Sequence, residues 1–228
     1  MAVGDGGNDV PMMKAADVSV GITAPTDDRI DSVNEARLAA DFSIRDWRSL
    51  EHLILVHGVW NNDRIATVIR FCIYKNVVLH CVAVWYALFT NYTGQVIFDT
   101  RDRAFAFYNI FFTSLLPFAI GIFRKIHSAK ELCSYPGIYR EKGNTTYNSY
   151  IGLLKWILAG VVHSLVIFLL SSWSFGNGII WSTGMEGDMT TMGSSIYLVI
   201  IVVVHAKMVG CIMFIIYYSF QFHQRRPH

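Results

Sequence analysis

The stretch IATVIRFCIYKNVVLHCVAVWYALFT, residues 65–90, decides the fold class. It runs for 26 mainly apolar residues without a proline. A helix needs only about 20 such residues to cross the hydrocarbon core of a bilayer. Three further apolar runs follow at 104–123, 152–173 and 194–218. One run of this kind also suits a buried helix of a soluble protein, but four in succession point to membrane spans. The last contains His205 and Lys207, which can mark its cytoplasmic end and move its start to near Met189. The body of the chain is therefore expected to be an α-helical membrane protein with four predicted transmembrane helices.

Composition agrees. Of the 228 residues, 53% are hydrophobic and 16% charged, against roughly 25% charged in an ordinary soluble domain. Mean hydropathy is +0.37. These values exclude disorder, a disulfide mini-protein and a simple soluble globule. The net charge of +2 hides a split. Residues 1–63 carry eleven acids and five bases, net −6, and residues 64–228 carry fourteen bases and six acids, net +8. Cys72, Cys81, Cys133 and Cys211 form no close pair and are expected reduced. The first apolar run lies far from Met1, so no signal peptide is expected.

Charge placement predicts orientation. Arg29, Arg37, Arg45, Arg48 and Arg64 precede the first span. Arg124, Lys125, Lys130, Arg140 and Lys142 lie between the second and third, and Arg225 and Arg226 follow the fourth. The opposite side has only Arg101 and Arg103. The positive-inside rule puts both termini in the cytoplasm. Residues 41–64 read as a cytoplasmic stalk helix, because Leu50, Leu53, Ile54, Val56 and His57 follow helical spacing. The remaining divisions are 1–40, a membrane domain over 65–220, and a tail at 221–228.

Residues 4–9, Gly-Asp-Gly-Gly-Asn-Asp, suit a divalent cation at a strand end. Asp5 and Asp9 supply hard carboxylate oxygens, Asn8 an amide oxygen, and the glycines a tight backbone turn. Pro11 fits the first turn of a following helix. An acidic, glycine-rich turn without a metal fits the spacing as well. Downstream, Val18 and Val20 alternate with Asp17 and Ser19, as a short strand should.

Residues 4–22, GDGGNDVPMMKAADVSVGI, resemble the end of the phosphorylation domain of P-type ATPases. Ala40-Asp41-Phe42-Ser43-Ile44, Leu53 to Gly58, Arg64-Ile65-Ala66, Tyr74 to Leu79 and Tyr108 to Leu115 resemble the phospholipid-flippase branch, the type IV P-type ATPases. The clear resemblance covers about 3–123; beyond it only hydropathy fits, and after Lys207 the pattern departs. The resemblance implies that residues 1–40 end an α/β haloacid-dehalogenase-like phosphorylation domain. Asp5, Asn8 and Asp9 would then hold the Mg2+ used with ATP in aspartyl-phosphate chemistry. It further implies phospholipid substrates moved toward the cytoplasmic leaflet, and an accessory two-span beta subunit. A Golgi, endosomal or plasma membrane location follows from it, and nucleic acid is not an expected partner.

Departures qualify the resemblance. Residues 23–36 look longer and more acidic than the family linker, and Leu116 replaces the first of two common prolines. The Asp-Lys-Thr-Gly-Thr loop with the phosphorylated aspartate is absent, so no catalytic residue is assigned. That chemistry requires a carboxylate nucleophile. The 228 residues are accordingly expected to be a C-terminal fragment without ATPase activity of its own. A non-catalytic membrane-spanning truncated protein and a piece of a P-type cation pump are the rival readings.

Lys75 lies about ten residues, or ~15 Å, into the first span. A charge there costs at least ~2.5 kcal/mol, so it should face protein or water. Asn76 and His80 share a helical face, as Asn109, Thr113 and Pro117 do on the second span. Pro117 has no N–H to give the Thr113 carbonyl. By resemblance, Lys75, Asn76 and Asn109 form a lipid-headgroup path. Residues 65–90 and 104–123 contain no Asp or Glu, which argues against cation coordination.

Overall fold

The computed structural model describes residues 1–22, 30–98, 107–135, 137–139, 150–176 and 189–224. The chain forms two compact units, one of Met1–Asn61 with Ala129–Pro136 and the other of Asn62–Ser128 with Gly137–His228.

The first unit is built on a three-stranded parallel sheet: β1 (Ala2–Gly4), β2 (Ser19–Ile22) and β3 (Phe42–Ile44) in the order β1-β2-β3. Ala2 pairs with Ser19 and Val20 with Phe42. Parallel neighbours need a crossover, and α1 (Val10–Ala15) and α2 (Ile30–Ala39) occur in the two connections. Ala2, Met13 and Ala36 make the buried cluster, with Met13 only 1% exposed. Small residues dominate it because the helices lie close to the strands: a Cβ on Gly21 would stand 3.2 Å from the Ala36 carbonyl oxygen.

Two expectations change in this unit. Val18 is 39% exposed and Ser19 only 3%, so polarity does not alternate across this strand as expected. The strand is central, and the Ser19 hydroxyl is satisfied by Asp41 instead of water: it donates to Oδ2 at 2.9 Å and accepts the Asp41 N–H at 3.0 Å. The stalk expected as helix from residue 41 begins at Ser49, because Phe42–Ile44 is claimed by the sheet. From Ser49 the helix α3 runs to Phe89, with a widened π-type turn at Leu53–Gly58. The short helix α5 (Ala129–Ser134) packs on that turn, where Val56 and Leu132 are buried.

The second unit is helical. α3 contributes Phe71, Tyr74, Val78, Val82 and Tyr86, spaced three or four apart, to one apolar core. This is the stripe that a packed helix presents. Ile167 and Phe168 come from α6 (Tyr150–Gly176), and Ile196, Ile200, Val204 and Met208 from α7 (Met189–Gln224). Gly160 on α6 admits close approach, since a Cβ there would lie 3.0 Å from Val77 Cγ1. Trp85 donates its indole N–H to buried Ser164 at 3.0 Å, and Tyr74 Oη lies 2.6 Å from His163 Nδ1. Leu154, Leu158, Leu169 and Leu198 face outward, which suits lipid and not water.

Among the described residues, three helices are long and apolar enough to cross a membrane: Ser49–Phe89, Tyr150–Phe175 and Met189–Met213. Four were expected. The run at 104–123 is described from residue 107, and its apolar helix Tyr108–Phe123 is shorter. It consists of a π-type turn at Tyr108–Phe112 and the helix α4 (Leu115–Phe123), parted at Thr113 and Ser114. Residues 104–106 and the tail beyond Gln224 lie outside the described residues. The last described helix is Met189–Gln224, and it takes in both expected starts, 194 and near Met189, as well as His205 and Lys207.

Candidate functional site

Two constellations carry chemistry, one in each unit. In the first, β1 ends at Gly4 and the chain turns through a 3-10 turn at Gly7–Asp9 into α1, with proline in its first turn. Asp9 folds back so that its Oδ2 accepts the Asp5 N–H at 3.1 Å. Gly4 makes that possible, since a Cβ there would stand 2.6 Å from Asp9 Cβ and 3.0 Å from Asp9 Oδ2. Asp5 and Asn8 are exposed and Asp9 is half-buried. Asp5, Asn8 and Asp9 are thus gathered in one short loop beyond a strand's carboxyl end, the side where open α/β sheets take ligands.

Among the described residues, no three His, Cys, Asp or Glu side chains converge as a metal cage. Magnesium does not require one. It keeps several waters and takes one or two carboxylates together with phosphate oxygens. The all-oxygen donors of Asp5, Asn8 and Asp9 fit such an ion. Beside the loop, a groove of about 470 Å³ runs between α1 and α2, lined by Val10, Pro11, Lys14, Glu35 and Leu38 among others.

The second constellation lies in the helical unit. Lys75 is only 5% exposed, near the middle of the apolar part of α3. Its ammonium donates to Thr113 Oγ1 at 2.8 Å. Thr113 Oγ1 in turn donates to the Tyr108 carbonyl at 2.7 Å, and Tyr108 Oη donates to the Lys75 carbonyl at 3.0 Å. A closed circuit thereby joins α3 to the broken second run. Next to Lys75, Asn76 Oδ1 is buried and has no hydrogen-bond partner among the described residues.

The structure separates residues that periodicity puts together. Asn109 is exposed whereas Thr113 is fully buried, although they are four apart. The Thr113 N–H bonds the Tyr108 carbonyl five residues back, and this widened turn rotates Asn109 away from Thr113. Asn109 therefore does not join Lys75 by a hydrogen bond; its neighbour Tyr108 does. His80, expected to share a face with Asn76, is exposed. Tyr108 was not singled out in the sequence, because a tyrosine in an apolar run reads as core or interface. Its hydroxyl, which needs a partner wherever it is buried, is the signal that was available.

Residues 37–223 match the family model described as phospholipid-translocating P-type ATPase C-terminal. The match extends the resemblance well past residue 123 and past Lys207, where it was expected to stop. "Phospholipid-transporting ATPase tat-1" of Caenorhabditis elegans is 33% identical over 208 residues, which cover 91% of this chain and 17% of that protein. "Phospholipid-transporting ATPase C887.12" of Schizosaccharomyces pombe is 35% identical, covering 91% and 16%. "Probable phospholipid-transporting ATPase 7" of Arabidopsis thaliana is 33% identical, again covering 91% and 16%. The chain spans about a sixth of the length of these relatives.

Proposed function

The chain belongs to the phospholipid-translocating P-type ATPases, and from that premise we propose that its residues serve an ATP-driven phospholipid flippase. The carrying observation is the buried polar pair in the membrane body: the Lys75 ammonium, anchored on one side to Thr113, beside a buried Asn76 Oδ1 with no partner among the described residues. A buried acceptor left without a donor is costly unless something fills it. A phospholipid headgroup offers complementary groups, an anionic phosphate for Lys75 and, in aminophospholipids, an N–H for Asn76. Asn109, exposed on its turn, contributes from a neighbouring position as the headgroup passes. Lipid moves toward the cytoplasmic leaflet, both termini face the cytoplasm, and the broken helix Tyr108–Phe123 belongs to a fourth membrane crossing.

The first unit supplies the end of a haloacid-dehalogenase-like phosphorylation domain. Asp5, Asn8 and Asp9 would hold Mg2+, and the ion would supply positive charge to offset that of phosphate oxygens. The chain's own part is to bring Asp9 back over Gly4 and keep the carboxylate oriented from the Asp5 N–H. An accessory two-span subunit is the proposed partner. A cation-pump role has less support: the described parts of the first two apolar runs hold no Asp or Glu.

The test is Lys75→Ala in a complete transporter carrying these residues, reconstituted into phosphatidylcholine vesicles containing graded phosphatidylserine or phosphatidylethanolamine. Lipid-stimulated ATP turnover and labelled-lipid movement should both collapse. Turnover that responds to lipid as in the unsubstituted protein overturns the reading.

A further inference from the structure

We propose that Thr113 and Tyr108 are positioning residues that fix where the Lys75 ammonium meets the anionic oxygen of a lipid headgroup; this rests on the lipid-path reading of Lys75 above.

The hydrogen-bond directions are determined by chemistry. A tyrosine hydroxyl meeting a carbonyl must donate, so Tyr108 Oη gives its proton to the Lys75 carbonyl. Thr113 Oγ1 likewise gives its one proton to the Tyr108 carbonyl at 2.7 Å. It has no second proton, so toward Lys75 it is purely an acceptor. Lys75 Nζ fills that place at 2.8 Å with one of its three N–H donors, and its other two donors have no hydrogen-bond acceptor among the described residues, which leaves them for a ligand. The same turn thus grips Lys75 at both ends, at the backbone carbonyl through Tyr108 and at the ammonium through Thr113.

That grip matters because a lysine side chain is long and rotamer-rich, and a loose one loses entropy each time it engages a ligand. Thr113 and Tyr108 are both fully buried, so neither residue swings freely. The widened turn that exposes Asn109 also delivers Thr113 to Lys75, because the Thr113 N–H bonds the Tyr108 carbonyl. The turn's distortion and the circuit are one device. In a regular helix through this segment, Asn109 and Thr113 would face the same way.

The experiment compares Thr113→Val, Thr113→Ser and Tyr108→Phe with Lys75→Ala in the complete transporter. Each is reconstituted with graded phosphatidylserine, phosphatidylethanolamine or phosphatidylcholine. Thr113→Val is expected to weaken apparent affinity for the stimulating lipid about tenfold, the equivalent of one charge-assisted hydrogen bond. That loss should exceed the loss of lipid-saturated turnover. Thr113→Ser keeps the hydroxyl and should restore the affinity, and Tyr108→Phe should reproduce the split. Should Thr113→Val fail to fold, Tyr108→Phe decides. The inference is overturned when these variants lower turnover equally for every lipid at unchanged apparent affinity while Lys75→Ala abolishes the lipid response. A normal lipid response in Lys75→Ala removes the underlying lipid-path reading instead.

Discussion

Arg124 closes on Asp63 with Nε 2.7 Å and Nη2 3.5 Å from the two carboxylate oxygens, and its own carbonyl accepts Arg64 Nε at 2.8 Å. The two side chains are 8% and 9% exposed. They tie the start of the apolar part of α3 to the end of α4, while Lys75 and Thr113 tie the same two segments twelve and eleven residues away. α4 is consequently held at both ends by α3.

Breaking that ion pair from one side leaves a buried charge. Asp63→Leu is expected to cost about 3–5 kcal/mol, and more than the double substitution Asp63→Leu with Arg124→Leu. Arg124 Nη1 is already buried without a partner among the described residues, so removing both charges also removes that unsatisfied donor. Chemical unfolding of the four members of the double-mutant cycle in detergent micelles checks this. Strict additivity would show that the pair does not act as a unit.

The first unit should lose stability in acid through Asp41. The Ser19 backbone N–H, at 2.8 Å, and then the Ser19 hydroxyl hold the Asp41 carboxyl below its ordinary value. A carboxyl with a lowered folded-state pKa contributes stability that is fully present above its unfolded value, near 3.8, and is lost as pH falls through the folded value. The protection of the Ser19 amide against exchange, relative to its intrinsic rate at each pH, should therefore fall on acidification below about pH 4. Asp41→Asn removes that pH-dependent step. An unchanged acid response after this substitution would show that other carboxylates are responsible.

Two glycines of the acidic motif, Gly4 and Gly6, should respond differently. A Cβ on Gly4 would press on Asp9 Cβ and on Met13 Sδ at 2.7 Å, whereas nothing lies within 4 Å of the corresponding position on Gly6. Gly4→Ala is expected to cost about 1–3 kcal/mol by overpacking and to weaken Mg2+ binding by displacing Asp9. Gly6→Ala should leave both nearly unchanged. Mg2+ titration followed at the Asp5 amide resonance reads the binding directly, and equal effects at the two positions would refute the role of Gly4.

The long elements were legible in the sequence because their cause is local and repeated. The apolar run at 65–90 belongs to the α3 stripe from Phe71 to Tyr86, and hydropathy alone marks it. Shorter elements were less legible. Phe42–Ile44 has helical neighbours in sequence, yet its hydrogen bonds go to β2, a partner about twenty residues away that no local periodicity displays. Asn109 and Thr113 look equivalent on a regular helix and end on different sides, because one widened turn shifts the register.

The sequence by itself determined the class of molecule: an acidic, glycine-rich head followed by apolar helices, with Lys75 and Asn76 inside one of them. That much follows from composition and period, since each residue's preference for lipid or water is its own property. Only the tertiary structure decided which polar groups meet. The partners of Lys75 and Asp63 lie 38 and 61 residues away. Such pairings arise when helices pack and buried polar groups must find partners across the interface, a condition imposed by the assembled fold and not by any single stretch of chain.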